Sequence, residues 1–144
     1  MKKVFLMAVM LFVLPISGLT TARAQVTDTV VADIPFEFEI GDTTLPAGEY
    51  TIRRVTPTNP SVMVISSKEP HRNVLFVVNS AQMNKEPHNT ELIFDRVDDQ
   101  YFLSKIFEGW DPNGVALSKS RNERTLEKQG AKVQLNSVVV PGKM

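Results

Sequence analysis

In parts of the chain, apolar and polar residues alternate with a period of two, the pattern of strands that keep one face in a core and one in water. Ile34, Phe36, Phe38 and Ile40 are apolar and enclose the charged Glu37 and Glu39. The pattern predicts one strand over 34–40, with its isoleucines and phenylalanines in the core and its glutamates in solvent. Pro35 has no amide hydrogen to donate, which puts this strand at an edge or starts it there. Gly41-Asp42 ends it, and Leu45-Pro46-Ala47-Gly48 supplies turn chemistry before the alternation resumes at Tyr50-Thr51-Ile52-Arg53. Residues 61–66 (SVMVIS) and 73–79 (NVLFVVN) are apolar on both faces. That suits central strands covered on each side by a two-layer core.

Residues 91–97 and 100–107 flank Asp98-Asp99, the spacing of a tight hairpin. In that register Phe94 lies opposite Leu103 and Arg96 opposite Tyr101. A last apolar run, 132–140, predicts a closing strand. Ser120 and Glu123 have the spacing of a capping box, and Gly130 is placed to end a short helix. Leu126 is the one large apolar side chain between them, so this helix belongs on the surface. The chain therefore reads as mainly β: an antiparallel β-sandwich or small barrel of about six or seven strands, with one short C-terminal surface helix.

The first residues follow a different rule. Lys2 and Lys3 precede eleven unbroken apolar residues, 4–14, and Pro15 and Gly18 stop the run. Ala22-Arg23-Ala24 then sets small residues where a signal peptidase reads them. Eleven residues fall short of the roughly 20 that span a bilayer. Residues 1–24 are thus expected to be a cleaved signal peptide and 25–144 a single β-rich domain that starts at Gln25. The mature chain is expected to be periplasmic or extracellular, without a transmembrane segment.

Composition narrows the chemistry. The 144 residues carry 16 basic and 16 acidic side chains. Removing 1–24 takes away Lys2, Lys3 and Arg23 and no acid, which leaves the mature chain mildly acidic. Such a surface does not attract nucleic acid or anionic lipid. The absence of cysteine excludes disulfides, thiol catalysis and cysteine-bound metals. A domain of ~120 residues buries about two-thirds of its unfolded surface, so one core needs no such support and no cofactor is expected.

Lys-Glu-Pro-His occurs twice, ending in His71 and His88. Loops at the two ends of a strand of ~6 residues lie roughly 20 Å apart, too far for both histidines to reach one metal. The repeat therefore reads as turn chemistry, and no metal site is assigned. There is no G-x-S-x-G, P-loop or H-E-x-x-H pattern, and neither histidine has a recognisable partner, so no catalytic residue is assigned. A hydrolytic carboxylate pair forms in space rather than in sequence. Asp95, Asp98 and Asp99 are the nearest candidates, although the hairpin accounts for them. Trp110 lies in a loop, FEGWDPNG, where it is placed to stack on a sugar or a partner side chain. The apolar gain from burying its ring favours folding back over the end of the sandwich. Lys119, Arg121 and Arg124, with Lys128, are candidate partner or anion contacts. Glu123 and Glu127 interleave them as on a solvated helix face.

Three segments taken together carry a resemblance. They are Ile34-Pro35-Phe36-Glu37-Phe38 with Gly41 and Leu45-Pro46-Ala47-Gly48-Glu49-Tyr50; Leu92-Ile93-Phe94-Asp95-Arg96 running into Tyr101-Phe102-Leu103-Ser104; and Leu117-Ser118-Lys119-Ser120-Arg121-Asn122-Glu123-Arg124. Over about 30–126 the chain resembles a family of small, secreted, β-rich bacterial proteins without an assigned activity, in which Phe107 takes the place of a tryptophan. The resemblance implies export and a β fold, and carries over no site residue. The expected function is that of a non-enzymatic exported β-domain that binds a partner protein or a cell-surface polymer, with Trp110, Lys119, Arg121 and Arg124 as contacts. The alternative is a secreted hydrolase whose carboxylates converge in the fold. Mass spectrometry of the exported protein is expected to show a chain beginning at Gln25; an intact N-terminus in a membrane fraction would mean an anchored protein.

Overall fold

In the computed structural model, which describes residues 29–140, the alternating pattern resolves into ten strands and one helix. The signal peptide read in 1–24 and its cleavage before Gln25 lie outside the described residues. The elements are β1 (Thr29–Ile34), β2 (Phe38–Ile40), β3 (Thr43–Leu45), β4 (Gly48–Thr56), β5 (Asn59–Ser67), β6 (Arg72–Gln82), β7 (Thr90–Val97), β8 (Gln100–Phe107), β9 (Asn113–Leu117), α1 (Arg121–Lys128) and β10 (Val133–Val140). The count exceeds the expected six or seven because several strands are too short to show a period. In addition, the run 34–40 is split. The backbone leaves the ladder at Pro35, so Ile34 closes β1 against β4 while Phe38 opens β2 between β3 and β8.

Strands β1, β4, β5 and β6 pair antiparallel in that order. The long β6 then changes partner. Arg72–Val77 pairs with β5, and Val78–Gln82 pairs with β9. Beyond β9 come β8, β7 and β10, again antiparallel. The β2–β3 hairpin joins β8 through a parallel step at Glu39 and Phe102. The result is one open, mixed, curled sheet whose end strands β1 and β10 approach each other without a ladder between them.

The concave face encloses the core. Ile34, Ile52, Leu92 and Phe94 are fully buried there, with Phe38, Ile40, Leu45 and Ile65 beside them. Phe38 meets Tyr50 and Phe94 edge to face, at 5.3 and 5.5 Å between ring centres. Phe36, in the break between β1 and β2, is half-buried and stacks on Tyr101 at 4.0 Å. The expected inward set of 34–40 therefore faces inward, carried by two strands rather than one. Only β1 is an edge.

The β7–β8 hairpin has the predicted register, with Phe94 opposite Leu103 and Arg96 opposite Tyr101. Asp98 makes the turn with φ 54°. A bulge shifts the pairing after Ile93, so that Leu103 and Ile106, three apart, both reach the core. Gly114, paired with Phe107, accommodates the ring of that residue: a Cβ there would lie 2.5 Å from Phe107 Cδ1 and 2.4 Å from the Ile106 carbonyl.

One expectation is corrected, and one is borne out with an addition. The strands over 61–66 and 73–79 are not both covered on each face. Phe76 and Val78 point into the core, whereas Leu75 and Val77 on the opposite face of β6 are 66% and 64% exposed. The helix forms where predicted, with Ser120 Oγ accepting from the Glu123 amide at 3.0 Å, but its buried side chain is Glu123. Leu126 is only half-buried.

The split of 34–40 grades its side chains. Phe38→Ala is expected to cost about 3–5 kcal/mol and Phe36→Ala about half of that. Glu37→Gln, on an exposed side chain, is expected to stay within about 0.5 kcal/mol of the parent. Urea melts of the three variants check the ranking.

Candidate functional site

Lys119, Arg121 and Arg124 meet at the point where β9 leaves the sheet. β9 pairs with β6 as far as Leu117 opposite Val78, and the chain then crosses as Ser118-Lys119-Ser120 into α1. Beyond this point β6 keeps β5 on one edge. Among the described residues its other edge, over Arg72–Val77, carries no ladder. A groove of about 260 Å³ opens there, between Leu75, Phe76 and Val77 on one wall and Lys119, Arg121 and Arg124 on the other. The Gly41-Asp42 turn lines it as well.

Polar contacts hold α1 beside this groove. The Arg121 amide donates to Asp42 Oδ1 at 3.3 Å, and Arg121 Nε lies 4.0 Å from Asp42 Oδ2. Asn122 Nδ2 donates to Glu39 and to Gln100, each at 2.7 Å. Lys119 is bonded to Glu127, and that bond raises its pKa. The Arg124 guanidinium is exposed and has no ion-pair partner among the described residues.

Beneath α1 a second constellation forms. Glu123 and Asp95 are 3% and 7% exposed and face each other across the helix–sheet contact. Burial pushes the Glu123 carboxyl from 4.5 up to about 7, helped by its hydrogen bond to Asp95 and by the charge of Asp95, while Lys119 opposes the rise. Glu123 Oε1 accepts no hydrogen bond and lies 4.0 Å from Lys119 Nζ. A cavity of about 260 Å³ adjoins the pair, lined also by Leu103, Ser104, Lys105 and Lys119. The carboxyl pair is thus built from Asp95 and a helix residue, and not from Asp98 or Asp99. Asp98 forms the turn, and Asp99, with a 97% exposed side chain, pairs with Arg96 at 3.1 Å. Sequence reasoning missed Glu123 because its capping-box position accounted for it. Its carboxyl turns inward to Asp95, a choice made by the strand below.

Trp110 stands apart from this region, beyond the other end of β9. The expectation that it folds back over the sheet is corrected, since Trp110 is 70% exposed. Its backbone takes φ 64°, its amide donates to the Pro87 carbonyl at 2.7 Å, and its ring meets His88 edge to face at 5.0 Å. These ties turn the indole outward. The mouth of the curled sheet beside it stays open as a cavity of about 440 Å³ over Met63, Ile106 and Val115. His71 lies in the turn before β6 and His88 in the connection after it, so an eleven-residue strand separates them. Among the described residues no three His, Asp or Glu side chains gather as metal ligands.

Comparison of the chain with protein-family models, curated proteins and solved structures found no match. The class it defines on its own geometry is a mainly β domain with one short helix docked by polar contacts.

A raised carboxyl favours the folded state while it is protonated. The contribution of Glu123 is complete below about 4.5, its unfolded value, and is lost as the pH rises through about 7. Between those limits stability is expected to fall by on the order of 2 kcal/mol, and Glu123→Gln is expected to flatten that slope. Thermal melts across this range check both.

Proposed function

We propose that the protein is an exported, non-catalytic β-domain that binds a partner protein in the cell envelope or outside the cell, through the groove between β6 and α1. The observation that carries this reading is the bare apolar face of β6. Leu75 and Val77 stand outward, 66% and 64% exposed, opposite the buried Val64 and the half-buried Val62 of β5. Adjacent exposed aliphatics on a regular strand are costly in water and mark sites of association. Lys119, Arg121 and Arg124 border them and add directionality through charge. The export half of the reading rests on the order of charges, apolar run and small residues in 1–24, and on the family resemblance.

A hydrolytic reading would use Asp95 and Glu123. Glycosidases hold their two carboxyls roughly 5–9.5 Å apart, with the scissile bond between them. Here the two carboxyls are buried together under α1, away from open solvent, an arrangement that favours docking the helix over acting on a substrate. Binding is therefore the reading preferred.

A photo-crosslinking residue placed at Leu75 or Val77 in the exported protein is expected to yield one discrete adduct in living cells. The same residue at Asp99, whose side chain is 97% exposed in the β7–β8 turn, is expected to yield none. Equal labelling from all three positions, or none from 75 and 77, would overturn the proposal.

A further inference from the structure

We infer that the partner enters this groove as an extended strand, pairing its backbone with the open edge of β6 over Arg72–Val77 and turning acidic side chains toward Arg124. The inference rests on the binding role proposed above and adds the mode of binding and the chemistry of the ligand.

The first ground is the backbone. β9 occupies the second edge of β6 as far as Val78 and then departs, while β6 continues for six more residues with β5 alone. Six residues of strand present about 20 Å of edge, in which alternate residues point their N–H and C=O groups away from β5. Exposed edges of this kind recruit further strands unless they are blunted. Within the strand itself the usual guards are absent over the stretch. It contains no proline and no register shift, and its one charged residue is Arg72 at the outer end. An added strand would continue the line that β9 abandons at Leu117, so main-chain bonds would supply affinity and side-chain pockets selectivity.

The second ground is charge. Of the three cations at the groove, Arg121 faces Asp42 and Lys119 is bonded to Glu127. Arg124 is the cation left exposed and without an ion pair among the described residues. It complements an acidic segment and repels a basic one. A second copy of this chain, paired edge to edge, would bring two Arg124 side chains to one interface, which disfavours self-association. A polysaccharide lacks the amide ladder that the edge matches.

The test uses three capped nonapeptides of alternating valine and threonine that end in two aspartates, two asparagines or two lysines. Added at millimolar concentration, the aspartate peptide is expected to slow amide exchange at alternate residues of Arg72–Val77 at least tenfold. Affinity is expected to fall in the order aspartate, asparagine, lysine. Arg124→Glu, on an exposed side chain, is expected to invert that order without changing the melting temperature. Methylating the peptide nitrogens that face β6 is expected to abolish binding. Methylating the other alternate set is expected to leave binding intact. Binding that survives methylation of each set in turn would overturn strand pairing, as would protection elsewhere or no binding by any peptide. A doubled mass in sedimentation would make a second copy the occupant. If strand pairing fails while the adduct from Leu75 persists, the entry mode is wrong and the site stands; loss of both removes the binding role itself.

Discussion

β6 has more length than any single neighbour covers, and the rest of the sheet is arranged around that fact. Its first six residues take β5 as partner and its last five take β9, so the strand joins the β1–β4–β5 side of the sheet to the β9–β8–β7 side. Phe76 and Val78 sit astride the exchange and are buried on the inner face, which ties the two regions into one core. The exchange also leaves a consequence on the outside. Where β9 stops, both the outward aliphatics and one backbone edge of β6 lack cover among the described residues. The groove is therefore a by-product of strand lengths, and its position was set by where β9 turns into α1.

The helix that borders the groove has almost no apolar face to bury, with Leu126 its one large aliphatic side chain. Its position is held by polar contacts instead: the Ser120 cap, Asp42 on the Arg121 amide, Asn122 bridging Glu39 and Gln100, and Glu123 against Asp95. Exposed hydrogen bonds contribute about 1 kcal/mol each, and the buried Glu123 carboxyl is tolerated in such a place while it is protonated. A helix docked in this way is among the least tightly held elements of the domain, and it carries Arg121 and Arg124 with it. Protonation beneath α1 and the charge displayed above it are thus properties of one small element.

Much of the fold could be read from the residues themselves. Local alternation is enough to orient a strand, because side chains on adjacent residues must point to opposite faces. That is why Phe38 and Ile40 were assignable to the core, and why the Asp98-Asp99 spacing set Phe94 against Leu103. The Ser120 cap was equally legible, since it depends on four consecutive residues. The break at Pro35 had its signal, a missing donor, although that signal does not say whether the chain starts a strand there or leaves one. Strands of three residues, such as β2 and β3, contain too little pattern to be seen at all.

What the sequence by itself determined was the class of structure: a mainly β chain with a short capped helix, a chemistry without cysteine, and basic residues gathered after β9. Tertiary structure alone decided which polar and apolar groups would be covered. Leu75 and Val77 have the composition of a central strand, yet they face outward because among the described residues no second layer lies over that side of β6. Trp110 is the most apolar candidate for burial in its loop, yet its amide is held by Pro87 and its ring stays in solvent. Asp95 and Glu123 are ordinary charged residues in their own segments and become buried neighbours because α1 lies across β7. The physical reason is the same in each case. Alternation and capping are short-range rules, whereas burial and shifted acidity depend on what the distant chain brings to the other side.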